Sequence, residues 1–581
     1  MRTCTPSHRR LRSFVALAAA AFATFVLSVP SATAVTGGSA VSGTAYPFVV
    51  KLSNATGSCS GALIAPQWVL TSATCFPSVT SVTAPPQATT AIVGRTQLDA
   101  IDGHEVAVAW LVPQGDRPIV LARLASKVDN VSVVPLGDTA PQSGDSVQVV
   151  GYGRSATEWV PNQAHVATAT VDSTSATTFT VSSTSGPTTC KGDAGGPAVR
   201  TEDGERELVA VNHASWQGGC LGETETRTGA VESRTDDLHD ALTQQTTSPI
   251  LARYLDLGGP SSFLGNAIGS EFAAAGGTGQ NYEHGAIYYS AATGAHIVQD
   301  QILAKYLAIG GPAAIGFPVT DQNTTPDGIG RYNHFGFTDP AGDASIYWTP
   351  TTGAHEINGA IRGKWAALGW ETGLGYPTTD ETAVTGIDGS AGRYNDFSLA
   401  DTASIYWSTN SGAHEIRGDI RKKWLALGGA PKLNFPSTDE SITPDGIGRY
   451  NHFNHPDGAS VYWTPSTGAH EIQGAIRTKW AAMGWETGPG YPTTDESITP
   501  DTIGRYNHFT NSTSIYWSPS SGVHSVAGTI RDRWASLGWE AGRLGYPTSD
   551  EYSITGGRRS DFQHGYITWA STNNTTQVFY Y

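Results

Sequence analysis

The residues Thr188-Thr189-Cys190-Lys191-Gly192-Asp193-Ala194-Gly195-Gly196-Pro197 form a glycine-rich turn with one carboxylate, Asp193, and no hydroxyl after Thr189. Ala194 has no oxygen with which to attack a carbonyl, so nucleophilic catalysis cannot begin at that position. A second stretch ends Thr71-Ser72-Ala73-Thr74-Cys75; a threonine hydroxyl cannot accept a proton near neutral pH, where imidazole titrates. A third, Asp116-Arg117-Pro118-Ile119, sets a proline, which lacks a backbone donor, two residues after an acid. His213 is a candidate base, although its strand-like setting reads as structural. Apart from Cys4 there are four cysteines, Cys59, Cys75, Cys190 and Cys220, which allow three pairings and do not have zinc-site spacing. Nothing here calls for a metal or another cofactor.

These residues must be positioned by more than one domain, because 581 residues exceed the size at which a single core keeps growing. Arg9, Arg10 and Arg12, the apolar run Phe14 to Val29 and Ala32-Thr33-Ala34 have the layout of a signal peptide over residues 1–34. The formal charge is -16, and losing that leader with its four arginines would leave about -20. This acidity argues against nucleic acid or an anionic bilayer as partner. No later stretch is apolar enough to span a bilayer. An exported chain favours disulfides over free thiols.

Taken together, Gly192-Asp193-Ala194-Gly195-Gly196-Pro197, Cys59 to Cys75 and Asp116 to Leu124 resemble the signature segments of trypsin-like (chymotrypsin-fold) serine proteases. The resemblance implies a double β-barrel over residues 35–245, with Thr74, Pro118 and Ala194 where that family has its histidine, aspartate and serine. It also implies disulfides Cys59–Cys75 and Cys190–Cys220, and an oxyanion hole made by the backbone N–H groups of Gly192 and Ala194. Cleavage after Ala34 would leave Val35-Thr36-Gly37-Gly38, which resembles the family's activated N-terminus. Val35 would then pair with Asp193 without an activation step; the alternative is a disordered terminus with Asp193 satisfied by turn amides. The specificity pocket would have Thr188 at its base and Trp216 and Gln217 in its wall, with Gln217 crowding the entrance where the family has glycine.

Residues 246–249 read as a polar linker, and the chain then repeats itself about every 55 residues. Gly353-Ala354-His355-Glu356-Ile357 returns as Gly412-Ala413-His414-Glu415-Ile416 and Gly468-Ala469-His470-Glu471-Ile472. A short helix such as Ile361 to Leu368, a turn such as Leu374-Gly375-Tyr376-Pro377, a strand such as Arg331 to Phe335 and a hairpin such as Ser345 to Trp348 make each unit. The pattern resembles the LGFP repeat of secreted actinobacterial proteins over residues 250–581. Counted helix first, it gives about six units that must stack to bury their apolar faces. The expected fold is an α+β array that could close into a ring. Trp365, Trp424, Trp480 and Trp534 fall on helix faces and read as core. Trp370, Trp485 and Trp539, just beyond a glycine, are the candidate glycan-binding residues. A metal shared by the once-per-unit histidines would need ring geometry, and Arg331, Arg393, Arg449 and Arg505 are expected to pair with acids in the neighbouring turn.

The expected function is that of a secreted, cell-wall-associated protein. An inactive protease homologue would act as a binding or scaffold module with a peptide or protein as the ligand of its cleft, and the repeats would attach to cell-wall polysaccharide or another envelope component. An active serine endopeptidase and a purely structural envelope protein are the alternatives.

Overall fold

The computed structural model describes residues 38–183, 189–337, 343–399 and 402–581. The leader over 1–34, Val35 and Thr188 lie outside them. The chain divides into two compact units, Met1–Thr247 and Ser248–Tyr581.

In the first unit, β1 (Ser39–Ala40) precedes six strands: β2 (Val49–Asn54), β3 (Gly57–Ala65), β4 (Trp68–Ser72), β5 (Thr90–Val93), β6 (His104–Gln114) and β7 (Ile119–Leu124). These six close a barrel in the order β2-β3-β4-β7-β6-β5. The second set is β8 (Ser146–Gly151), β9 (His165–Thr174), β10 (Thr178–Ser182), β11 (Pro197–Glu202), β12 (Glu205–Ser215) and β13 (Ala230–Arg234). It runs β9-β10-β13-β12-β11-β8, and pairing of β8 with β9 closes the second barrel. Alternation decides its interior: Ala167, Ala169 and Val171 on β9 point into a core with Val147, Val149, Phe179 and Val209. Cys59–Cys75 and Cys190–Cys220 are disulfide-bonded, with Cα–Cα distances of 6.2 and 6.0 Å.

The segment expected to be a linker is mostly helical. Helix α1 (His239–Thr247) takes in its first two residues, and only Ser248 separates α1 from α2 (Pro249–Asp256). Thr246 and Thr247 bond their hydroxyls back to the carbonyls of Leu242 and Thr243, 2.9 and 2.7 Å away, which lets threonines sit in the last turn. Ser248 then caps α2 by accepting from Leu251 N at 2.9 Å, with Pro249 at the first helical position.

Each repeat is a helix followed by a small antiparallel sheet, and each helix lies on the sheet after it. In one unit the helix Gly418–Ala426 packs on the strands Ala459–Thr464 and Gly468–Gln473. Its Ile420 and Trp424 join Tyr406 and Ile416 from the preceding hairpin with Phe453 and Val461 from the following sheet in one core. One unit therefore supplies only part of its own core. Trp365, Trp424, Trp480 and Trp534 are at most 1% exposed, and the Trp424 ring lies 4.7 Å from Tyr406 and 5.9 Å from Phe453. Helix α2 lies on the strands Gly285–Ser290 and Gly294–Val298 that follow it, as the helices of the later units lie on theirs.

Polar ties repeat with the same period. Buried Asn451 donates to the carbonyls of Glu415 (3.1 Å) and Thr438 (2.8 Å), and Asn333, Asn395 and Asn507 do the same in their units. Asp439 accepts from Glu415 N at 3.1 Å, faces His414 Nδ1 at 3.3 Å and pairs with Lys364 on the helix Gly359–Ala367, one unit earlier. Desolvation opposes the charge of Asp439, but His414, Lys364 and the Glu415 amide outweigh it and hold this carboxyl well below the usual range. Asp439→Asn is expected to cost about 1–3 kcal/mol, the range for losing a charged acceptor, read as a lower thermal midpoint at pH 7. The ion-pair stability is present above the usual carboxylate pKa and is lost as pH falls below it, so the difference between the two proteins should shrink in acid. An unchanged midpoint at pH 7 would remove Asp439 from the list of inter-unit ties.

Candidate functional site

The cleft between the two barrels is assembled by close backbone contacts that dictate its glycines. An added Cβ on Gly153 would sit 2.4 Å from the Asp193 carboxylate, and one on Gly195, at φ 81°, would sit 2.1 Å from Thr71 Oγ1. Asp193 is 1% exposed. It accepts from Gly153 N at 2.7 Å and Cys190 N at 2.8 Å, yet burial pushes its carboxyl up to about 7.

The structure brings Thr74, Pro118 and Ala194 together. Ala73 N donates to Pro118 O at 2.9 Å, and Ser60 N donates to Ala194 O at 2.9 Å. Cys75 Sγ lies 3.5 Å from the same Ala194 oxygen. Thr74 Oγ1 meets Ser72 Oγ at 2.8 Å, so its hydroxyl already has a neutral partner. Asp116 is taken up by Arg117 at 2.7 Å, and Arg117 also pairs with Asp237 at 2.6 Å. His213 is half-buried with Nδ1 unpartnered among the described residues, and desolvation lowers its pKa.

Two amides flank Asp193. Lys191 O accepts from Arg154 N at 2.9 Å, which turns the Lys191–Gly192 peptide so that its N–H points away from Arg154. Among the described residues neither Gly192 N nor Ala194 N donates a hydrogen bond.

Gln217 ties its strand end to the Lys191 turn. Its backbone lies at φ 69°, a region that favours glycine. Its Oε1 accepts from Lys191 N at 2.8 Å and from Arg154 Nη2 at 3.3 Å. Glu223 strengthens the tie, accepting from Lys191 Nζ at 3.0 Å and pairing with Arg154. Half-buried Trp216 stands beside it on the same wall. The strand wall and the Lys191 turn are thus stitched together by side chains. Gln217→Gly removes the bridge and relieves the backbone, so amide exchange at Lys191 should quicken while global stability changes by no more than about 1 kcal/mol. Unchanged exchange would mean that the bridge does not form in solution.

Sequence reasoning missed Glu232. It is fully buried on β13, accepts from Asn212 Nδ2 at 2.9 Å and has its second oxygen unpartnered among the described residues. Burial first, and the neighbouring Asp193 charge in addition, push its carboxyl up to about 8.

In the repeats, Trp370, Trp485 and Trp539 are half-buried at φ 54–55°. The Trp370 ring lies edge-on to Trp365 at 5.2 Å and near His334 at 5.9 Å, and the Arg362 guanidinium sits 5.2 Å from its centre. Arg477 and Arg531 are placed in the same way on Trp485 and Trp539. Arg393, Arg449 and Arg505 pair with Glu381, Glu440 and Glu496 at 3.2, 3.4 and 3.6 Å, as the sequence suggested. Arg331 has Thr324 as its partner instead. Among the described residues no three histidines, cysteines or acids are grouped as metal ligands, and no helix is long and apolar enough to cross a membrane.

Residues 35–236 match the Trypsin family model. The LGFP repeat model matches six times, over residues 264–313, 315–373, 374–431, 433–488, 490–542 and 544–580, which is more than half of the chain. The chain belongs to the LGFP repeat family. Its LGFP array follows a trypsin-like domain, and both expectations of family and fold class hold. Among solved structures, neuropsin, a serine protease expressed in the limbic system of mouse brain, is 22% identical, with a TM-score of 0.30. That match covers 36% of this LGFP-repeat chain and 98% of neuropsin. No curated protein matches.

Proposed function

We propose that this is an exported protein whose trypsin-like domain does not hydrolyse peptides, and that its LGFP repeats hold that domain at the cell envelope as a binding or scaffold module. The observation that carries the reading is the meeting of Thr74, Pro118 and Ala194 at one place, with no imidazole, carboxylate or hydroxyl in the three roles. Loss of a serine-protease triad costs roughly a million-fold, leaving about 10³–10⁴ over water from the oxyanion hole and binding. The N–H groups of Gly192 and Ala194, which meet no acceptor among the described residues, support a remaining carbonyl-binding oxyanion hole. Gln217, against Trp216, favours a ligand along the cleft rather than deep in the pocket. The two disulfides and the leader-like segment support export, and the repeats support association with the envelope.

Sedimentation with purified cell-wall polymer tests the attachment. The chain 35–581 should pellet with the polymer and the chain 35–247 should not; equal behaviour would overturn the assignment of attachment to the repeats. Peptide display on 35–247 tests the binding module, since enrichment of no sequence would leave the domain a spacer.

A further inference from the structure

Among the described residues, cavities recur at equivalent places in the array, and four of them compare directly. They measure about 470 Å³ beside the helix Gly418–Ala426, about 490 Å³ beside Gly474–Ala482, and about 270 Å³ beside each of Gly359–Ala367 and Asp300–Ala308. The larger two fall within the range of about 300–1,000 Å³ usual for small-ligand sites. The first is walled by Trp463, Arg449, Glu440 and the opening turn of its helix. Trp517, Arg505 and Glu496 hold the same places in the second. Trp407, Arg393 and Glu381 do so in the third, and Trp348 and Arg331, with Gln322 in place of the acid, in the fourth.

The hairpin explains why these residues meet. Arg449 and Trp463 are directly opposite each other on adjacent antiparallel strands, and so are Arg505 and Trp517, Arg393 and Trp407, and Arg331 and Trp348. Glu440 is 6% exposed at its side chain and holds both Arg417 and Arg449 at 3.4 Å, while the Arg449 side chain remains 41% exposed with donors to spare. The helix adds further donors, because Arg417 at its N-cap makes no side-chain capping bond; Asn358 and Gln473 make none in their units either. The first three pockets thus offer a flat indole, a cluster of donors and a glutamate that pairs with the hairpin arginine, and the fourth has an amide in that place. The walls carry both signs, Arg417, Lys422 and Arg449 with Asp419 and Glu440 in the first and Arg505 with Asp457 and Glu496 in the second, and this mixture disfavours a strongly anionic ligand. It suits a ring with an apolar C–H face and hydroxyls that both donate and accept.

We propose that these pockets are saccharide subsites, each taking one sugar residue of a neutral polysaccharide. The indole of Trp463 covers the C–H face of the sugar, Arg449 donates to one hydroxyl and Glu440 accepts from its neighbour. The proposal rests on the reading that the repeats attach the chain to the envelope. It moves the contact from Trp370, Trp485 and Trp539, whose rings carry arginines, to the hairpin tryptophans.

The test is co-sedimentation of the chain 35–581 with purified cell walls, untreated and stripped of phosphate polymers by hydrofluoric acid. The wild type should bind both preparations. Trp463→Ala with Trp517→Ala should weaken binding by at least about tenfold, because linked sites multiply, and Glu440→Gln with Glu496→Gln should weaken it by about threefold or more at an unchanged thermal midpoint. If the tryptophan pair unfolds the array, the glutamine pair decides. Folded variants that bind like the wild type would overturn the pockets and leave the attachment standing. Binding to untreated walls alone would mean an anionic polymer and would overturn the neutral-sugar assignment. Binding to neither would overturn both readings.

Discussion

Serine restored at position 194 on its own should leave the domain unlabelled by a fluorophosphonate probe. A hydroxyl there has no base to take its proton, because Thr74 Oγ1 is held by Ser72 Oγ at 2.8 Å and the Pro118 carbonyl accepts from Ala73 N at 2.9 Å. The combination Thr74→His, Pro118→Asp, Ala194→Ser and Gln217→Gly supplies base, orienting acid, nucleophile and an open slot on a backbone that already brings the three positions together. It should be labelled at least about 10³-fold faster than Ala194→Ser alone, a small part of the roughly million-fold that a whole triad contributes. Rapid labelling of the single variant would mean that another base reaches residue 194. His213, half-buried with Nδ1 unpartnered among the described residues, is the first place to look.

The second large effect concerns the buried acids. Asp193 and Glu232 have carboxyls pushed up to about 7 and about 8, in both cases chiefly by burial. A carboxyl that holds its proton more tightly when folded contributes stability below its unfolded pKa and loses it as pH rises towards the folded value. At about 1.4 kcal/mol per unit, Asp193 alone corresponds to a loss on the order of 4 kcal/mol between pH 4 and pH 8. A free ammonium at Val35, placed against Asp193, would favour the ionised form and cancel that loss. The unfolding midpoint of the first domain should therefore fall less between pH 6 and pH 8.5 in the chain beginning at Val35 than in the same chain with an acetylated terminus, the difference amounting to several degrees, while Glu232 lowers both as pH approaches 8. Coincident curves would show that Val35 does not reach Asp193.

The turn around Asp193 was legible because its glycines answer a steric need that no other residue meets. The disulfides followed from the family resemblance, and the repeat core from the spacing of Trp365, Trp424, Trp480 and Trp534. The Gln217 bridge was only half legible. Its crowding of the slot followed from a glycine position, but the path of its side chain back to Lys191 N depends on the backbone turning to φ 69°. Glu232 looked like any acid in a strand, and nothing local signals that Asn212 and Asp193 are its neighbours. The hairpin pockets were hidden for a different reason. Arg449 and Trp463 are fourteen positions apart and become partners only through strand register. Residues 246–249 read as a linker because threonine and proline are poor helix interiors, although they serve well in a last turn and at a first position.

One measurement bears most directly on whether this domain is a protease: incubation of the purified chain 35–581 with a mixed peptide library and a fluorophosphonate probe. No turnover above background and no labelled band is the expected result. Turnover that survives Ala194→Gly and Thr74→Ala would contradict it and would place a catalytic site elsewhere in the chain.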